Sequence, residues 1–142
     1  MAKILAIDYG LKRIGLAIGN EELKIAVPYK TLIKTDNQSL FTTLKEIIAL
    51  EKIDKIVIGI PYYLNGEPSL TTKQVLNFTK KLKKEVNLPI LQIDERYTSF
   101  EAEKKLSALN LKNKKKKKLL IDQLAASVIL EQYFLQNTKS NI

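Results

Sequence analysis

The residues best suited to chemistry are carboxylates at three places where apolar segments are interrupted. Ile4-Leu5-Ala6-Ile7 stops at Asp8, Pro89-Ile90-Leu91-Gln92-Ile93 stops at Asp94-Glu95, and Asp122 stands at the opening of an apolar helical stretch. A charged group at the end of a buried strand is costly unless a cation pairs with it. Acids brought from two strand ends and a helix can jointly hold divalent ions that activate water and stabilise a leaving oxygen in phosphodiester cleavage. Asp8 is the natural bridging ligand if its strand is central, with two ions about 3.5–4 Å apart. Without metal, close carboxylates repel and one stays protonated. Blander readings stand beside these: Asp8 as a turn residue, and Asp122 as a first-turn acid complementing a helix dipole.

The residue inventory limits the chemistry. The 142-residue chain contains no histidine and no cysteine. Ser-His and Cys-His nucleophilic mechanisms are therefore excluded, as are disulfides and thiolate metal sites. Any metal must be held mainly by oxygen, which points to Mg2+ or Mn2+ rather than zinc. The length fits one domain spanning residues 1–142. The early Asp8 and the lack of long apolar runs predict no signal peptide and no membrane span, and the absence of cysteine suits a cytoplasmic protein.

A formal charge of +9 favours a polyanionic partner. Lys104 to Lys118 holds eight lysines and no acid. Within it Lys112, Lys114, Lys115, Lys116, Lys117 and Lys118 are expected to attract a nucleic-acid backbone, or else to form a solvated basic connector. Of 24 basic residues only Arg13 and Arg96 are arginines. Both lie near candidate acids, where a planar bidentate donor grips phosphate or orients a carboxylate.

The elements that must position these groups follow from periodicity. Strands are expected over residues 3–8, 14–19 and 25–33, the last an edge or bulged strand because of Pro28. Asp36 or Asn37 caps a helix reaching about Lys52, residues 55–60 form a buried strand, and a helix spans about 70–86. A strand over 88–94 follows, then a helix capped by Thr98 or Ser99, a basic connector over 110–118, and a last helix to about Gln136. On the last helix Ile121, Leu124, Ala125, Val128 and Ile129 share one arc, with Asp122 on its shoulder about 100° from the centre. An antiparallel meander followed by strand–helix crossovers predicts a mixed α/β sheet with helices on both faces.

Four motifs occur in order: Asp8-x-Gly10-x-x-Arg13-x-Gly15-x-Ala17, Gly59-x-Pro61 with Gly66, Asp94-Glu95-Arg96-x-Thr98-Ser99, and Asp122-x-x-Ala125-Ala126. Together they resemble the YqgF/RuvX family of ribonuclease-H-like nucleases across essentially the whole chain. The resemblance implies a five-stranded mixed sheet, metal-dependent catalysis by Asp8, Glu95 and Asp122, with Asp94 less certain, and a cleft lined by Gly10, Gly15, Gly59, Pro61 and Gly66. It also implies a nuclease that matures the 5′ end of the small-subunit ribosomal RNA precursor, or alternatively a Holliday-junction resolvase. A non-catalytic RNA-binding protein of the same fold is a further reading. An actin-like ATPase would need a second domain and a second phosphate loop. Ser99 replaces a common threonine, and the loop after Gly66 is poor in glycine.

Overall fold

In the computed structural model the described residues are 2–95, 104–108 and 114–140. Strands β1 (Lys3–Tyr9), β2 (Arg13–Asn20) and β3 (Ile25–Ile33) form the expected antiparallel meander. Helix α1 (Asn37–Glu51) leads to β4 (Lys55–Ile60), and α2 (Leu70–Glu85) leads to β5 (Ile90–Asp94). β4 pairs parallel to β1, and β5 pairs parallel to β4. The resulting five-stranded mixed sheet has the order β3-β2-β1-β4-β5, so β1 is the central strand. Residues 104–108 are helical, and α3 (Lys114–Ser140) closes the described chain.

Local chemistry accounts for the boundaries. The Asp36 carboxylate accepts from the Ser39 N–H at 2.8 Å and caps α1, while Lys52 ends that helix in the left-handed region. Ser69 and Thr72 form a reciprocal capping box at the start of α2. Pro28 lies on an edge strand beside a register shift opposite Leu16 and Ala17, combining both roles expected of it. Strand residues alternate between two cores. Leu5, Ile7, Ile14, Leu16, Ile56 and Ile58 pack under α1 and α2. Ile4, Ala6, Ala17, Val57 and Ile93 pack under α3. Helices thus cover both faces.

Two expectations need correction. Residues 114–118 are not a connector: they form the first turns of α3, because lysine is a good helix former and the apolar residues that follow anchor the helix. Asp122 is consequently more than two turns inside the helix and is no first-turn acid. It also does not sit on a shoulder of the sheet-facing stripe. Ala126, Ile129, Leu130 and Tyr133 face the sheet, and Asp122 continues that stripe one turn back. Leu124 and Ala125 instead pack with Leu106 of the 104–108 segment. Two packed faces on one helix blurred the single arc read from the sequence.

The helix comes close to the sheet because glycines clear its path. A Cβ at Gly15 would lie 2.9 Å from the Asp122 Cβ and overlap the Asp122 carbonyl. A Cβ at Gly19 would reach 2.5 Å from Leu130 Cδ2. Thr31 Oγ1 then ties the helix to the edge strand, donating to the Leu119 carbonyl at 2.6 Å and accepting from Gln123 Nε2 at 3.2 Å. Gly15→Ala should therefore cost about 1–3 kcal/mol of folding free energy, the typical range for overpacking a tight contact. Urea denaturation measures this, and a wild-type midpoint would show that the helix can shift without cost.

Candidate active site

The site lies at the carboxyl end of β1. Asp8 is paired in register with Gly15, and Gly15 is the residue on which Asp122 rests. Strand alternation turns Asp8 toward α3, on the side of Ala6 and Ile4, whereas Tyr9 faces α1 and α2. Glu95 follows β5 directly, and its N–H donates to the Ile60 carbonyl at 3.1 Å. That anchor lays its carboxyl over β4, where a Cβ at Gly59 would be 2.5 Å from Glu95 Oε2. Two glycine-permitted approaches, at Gly15 and Gly59, therefore bring Asp122 and Glu95 toward the strand end that carries Asp8.

The electrostatics are those of a crowded carboxyl pair. Burial, then the Asp122 charge, push Asp8 up to about 7, while a hydrogen bond from Glu95 lowers it. Burial pushes Glu95 up to about 9, reinforced by the Asp8 charge, the hydrogen bond to Asp8 and the Asp94 charge. Burial and the neighbouring charge thus favour a protonated Glu95 carboxyl whose O–H hydrogen-bonds to Asp8. Asp122 is held elsewhere: Arg13 Nε donates to its Oδ2 at 2.6 Å. Arg13 is thus the partner of Asp122, 109 residues away, and not of the nearby Asp8.

The donor set is all oxygen, which suits a hard divalent cation. A cation fits where Asp8 and Glu95 now share a proton, since it would remove the repulsion that keeps Glu95 protonated. Among the described residues, however, no three acids stand close enough to form a ready-made cage. Asp122 acts on Asp8 through its charge and is itself engaged by Arg13.

A model of the family described as "RuvX: Holliday junction resolvase" matches residues 2–136. The chain is also 47% identical over 131 residues to a protein of Maridesulfovibrio salexigens named "Putative pre-16S rRNA nuclease", covering 92% of this chain and 96% of that one. This chain belongs to the RuvX family. A relative in Orientia tsutsugamushi with the same name is 40% identical, with 97% and 88% of the two chains covered. Among solved structures, T. thermophilus RuvC in complex with a Holliday junction substrate aligns with a TM-score of 0.59 at 14% identity, covering 97% of this chain and 96% of that one. Fowlpox virus resolvase aligns with a TM-score of 0.53 at 12% identity, covering 96% and 98%. The RuvX chain shares their ribonuclease-H-like fold.

The remaining motif residues of this RuvX chain take separate positions. Gly10 N–H donates to the Arg13 carbonyl at 3.0 Å, closing the turn that returns Arg13 toward the site. Asp94 follows Ile93 on the opposite face of β5 and, with Ile60, Tyr62, Gly66 and Gln92, lines a cavity of about 330 Å³. It influences Glu95 through its charge. Pro61 accepts a hydrogen bond from Thr72 Oγ1, tying the β4 loop to α2. Tyr62 is half-buried and Tyr63 exposed. Arg96, Thr98, Ser99 and Lys112 lie outside the described residues. The sequence reading missed Gly19 and Thr31, which seat α3; a second glycine four residues after Gly15 on the same strand face was the available signal.

The raised carboxyl values fix a pH dependence for the metal-free protein. The folded state binds more protons than the unfolded chain from about pH 4 upward, so stability falls as pH rises through about 7 for Asp8 and about 9 for Glu95. Asp8→Asn removes one charge and relieves Glu95. It should be more stable than the wild type at pH 8 by on the order of 1–3 kcal/mol and nearly equal at pH 4. Urea titrations in chelator at both pH values test this, and an equal difference at the two would contradict the shared-proton account.

Proposed function

We propose that this RuvX chain is a divalent-metal-dependent endonuclease, a hydrolase acting on structured nucleic acid through one domain spanning residues 1–142. Its preferred substrate is the 5′ end of the small-subunit ribosomal RNA precursor in the cytoplasm. The observation that carries this reading is the buried Asp8–Glu95 carboxyl pair on the central strand end, with Asp122 across from it. The names of the Maridesulfovibrio and Orientia relatives support the RNA substrate. Branched DNA is the second reading, supported by the family description and by the junction-bound RuvC neighbour.

Asp8 and Glu95 would hold Mg2+ or Mn2+, with Asp122 completing the set on release from Arg13, and Asp94 adding negative potential from the far side of β5. When bound, such ions supply Lewis-acid stabilisation of the charge that develops on phosphate oxygens. The chain's own groups do the positioning. Arg13 presents a planar guanidinium that fixes Asp122 until substrate arrives and can then face a phosphate. Arg96 is proposed for a similar task. Lys112 and Lys114 to Lys118 contribute sequence-independent attraction along the start of α3, leading the backbone toward Asp122.

The deciding experiment incubates purified protein and Mg2+ or Mn2+ with precursor RNA and a four-way DNA junction in parallel. Cleavage of the RNA, with Asp8→Asn lowering the rate by more than about 10²-fold, is expected. Cutting of the junction alone would move the assignment to a resolvase, and metal-independent or Asp8-independent cutting would refute the site. Arg13→Lys retains charge but loses the fork, and should slow cleavage by about 10-fold or more. Replacing Lys114, Lys115 and Lys116 with glutamine should flatten the salt dependence of binding by about 2–3 slope units and leave the saturated rate near wild type.

A further inference from the structure

The face of the sheet away from α3 carries a groove between α1 and α2. One part, about 350 Å³, is lined by Asn37, Phe41, Lys45, Lys81 and Lys84 among others. Through Asn37 and Lys81 it continues into a second part of about 170 Å³ that reaches Tyr9, Leu11 and Lys34. Tyr9 directly follows Asp8, so the groove opens one residue from the carboxyl pair. Its floor is rigid: the Tyr9 and Phe78 rings stack at 4.3 Å, and Phe41 and Phe78 at 5.6 Å.

The walls are basic. Lys34, Lys45, Lys81 and Lys84 face a single lining acid, Glu85, which Lys45 engages at 2.8 Å. Lys81 and Lys84 are exposed and have no carboxylate partner among the described residues. Lys34 Nζ stands 4.4 Å over the Tyr9 ring, at the end nearest the site. From Asn37 to Lys45 the α1 wall runs about 12 Å at 1.5 Å per residue. That matches about three to four phosphates of a stacked strand at about 3.4 Å each. Lys45 of α1 and Lys81 of α2 line the same part of the groove from its two sides, so a bound strand would lie between the two helices.

We propose that the α1–α2 groove binds the phosphodiester backbone of one nucleic-acid strand that enters or leaves the carboxyl site over Leu11. The proposal rests on the nuclease reading for the identity of that strand, but its binding chemistry is independent of cleavage. With the basic start of α3 on the other face, the strand end carrying Asp8 would be flanked by two phosphate-binding surfaces, so a substrate bends around the carboxyl end of β1 instead of crossing one face.

The test is fluorescence anisotropy in chelator, over a salt series, with labelled 12-nucleotide oligo(U) and oligo(dT). The variant is Lys81→Gln/Lys84→Gln, and the control is Lys80→Gln/Lys83→Gln, with equal charge loss on the same helix away from the groove. The groove pair should flatten the log–log salt slope by about 1.4, at about 0.7 per single-strand contact, and weaken binding at 0.1 M salt by about 10-fold or more. The control pair should shift the slope by less than about 0.4. Equal effects from both pairs, no effect from the groove pair, no single-strand binding by the wild type, or equally groove-dependent binding of a labelled polyglutamate of the same charge would each overturn the proposal. Groove-dependent binding by a protein that cuts neither RNA nor DNA would sustain it while removing the nuclease reading.

Discussion

The close approach of α3 to β2 is the constraint on which the site depends. Side chains normally hold a helix well off a sheet, and a polar group on the sheet-facing stripe would then be stranded in apolar packing. Gly15 and Gly19 remove that standoff, so the Asp122 backbone rests directly on β2 opposite Asp8. Asp122 tolerates its position because it is not alone: Arg13 reaches it from the first residue of the same strand. One strand therefore supplies both the clearance for the helix and the counterion for its acid.

Around that contact the sheet works as a sorting device. β1 is central and paired on both sides, which fixes its register and sends Asp8 to the α3 face and Tyr9 to the α1–α2 face. A slip of one residue would exchange the two and bury the tyrosine where the carboxyl pair stands. The parallel β4 and β5 deliver Glu95 beside Asp8 because its N–H continues the β4 ladder past the last paired residue. The pair so formed is unfavourable in isolation, since burial and mutual repulsion keep one proton bound near neutral pH. Stored electrostatic strain of this kind is what a polyvalent cation relieves, and it sits next to two basic surfaces suited to a polyanion.

Much of this was legible in the chain. Asp8, Glu95 and Asp122 announced themselves because charged groups interrupt apolar segments, and that pattern carries meaning without coordinates. The meander, both crossovers and the five-strand count followed from alternation, helical spacing and the ordered motifs. The absence of histidine and cysteine excluded whole classes of mechanism at once. Less legible were features set by packing. The run 114–118 looked like a connector because five adjacent lysines repel, yet it is helical where the following apolar residues dock.

The sequence by itself determined which residue types could do chemistry, the order of the strands' hydrophobic pattern, and that no imidazole or thiolate is at hand. Those properties are local: composition, period and turn chemistry are written in neighbouring residues. Only the tertiary structure decided who partners whom. It gave Arg13 to Asp122 across 109 residues, let the Glu95 carboxyl hydrogen-bond to Asp8, and placed Asp94 on the other side of β5. It also turned Lys45 and Lys81, from helices far apart in sequence, into walls of one groove. Charge pairing and cavity shape depend on through-space distances of a few ångströms, and those distances exist only once the sheet has fixed its register and the helices have settled on it.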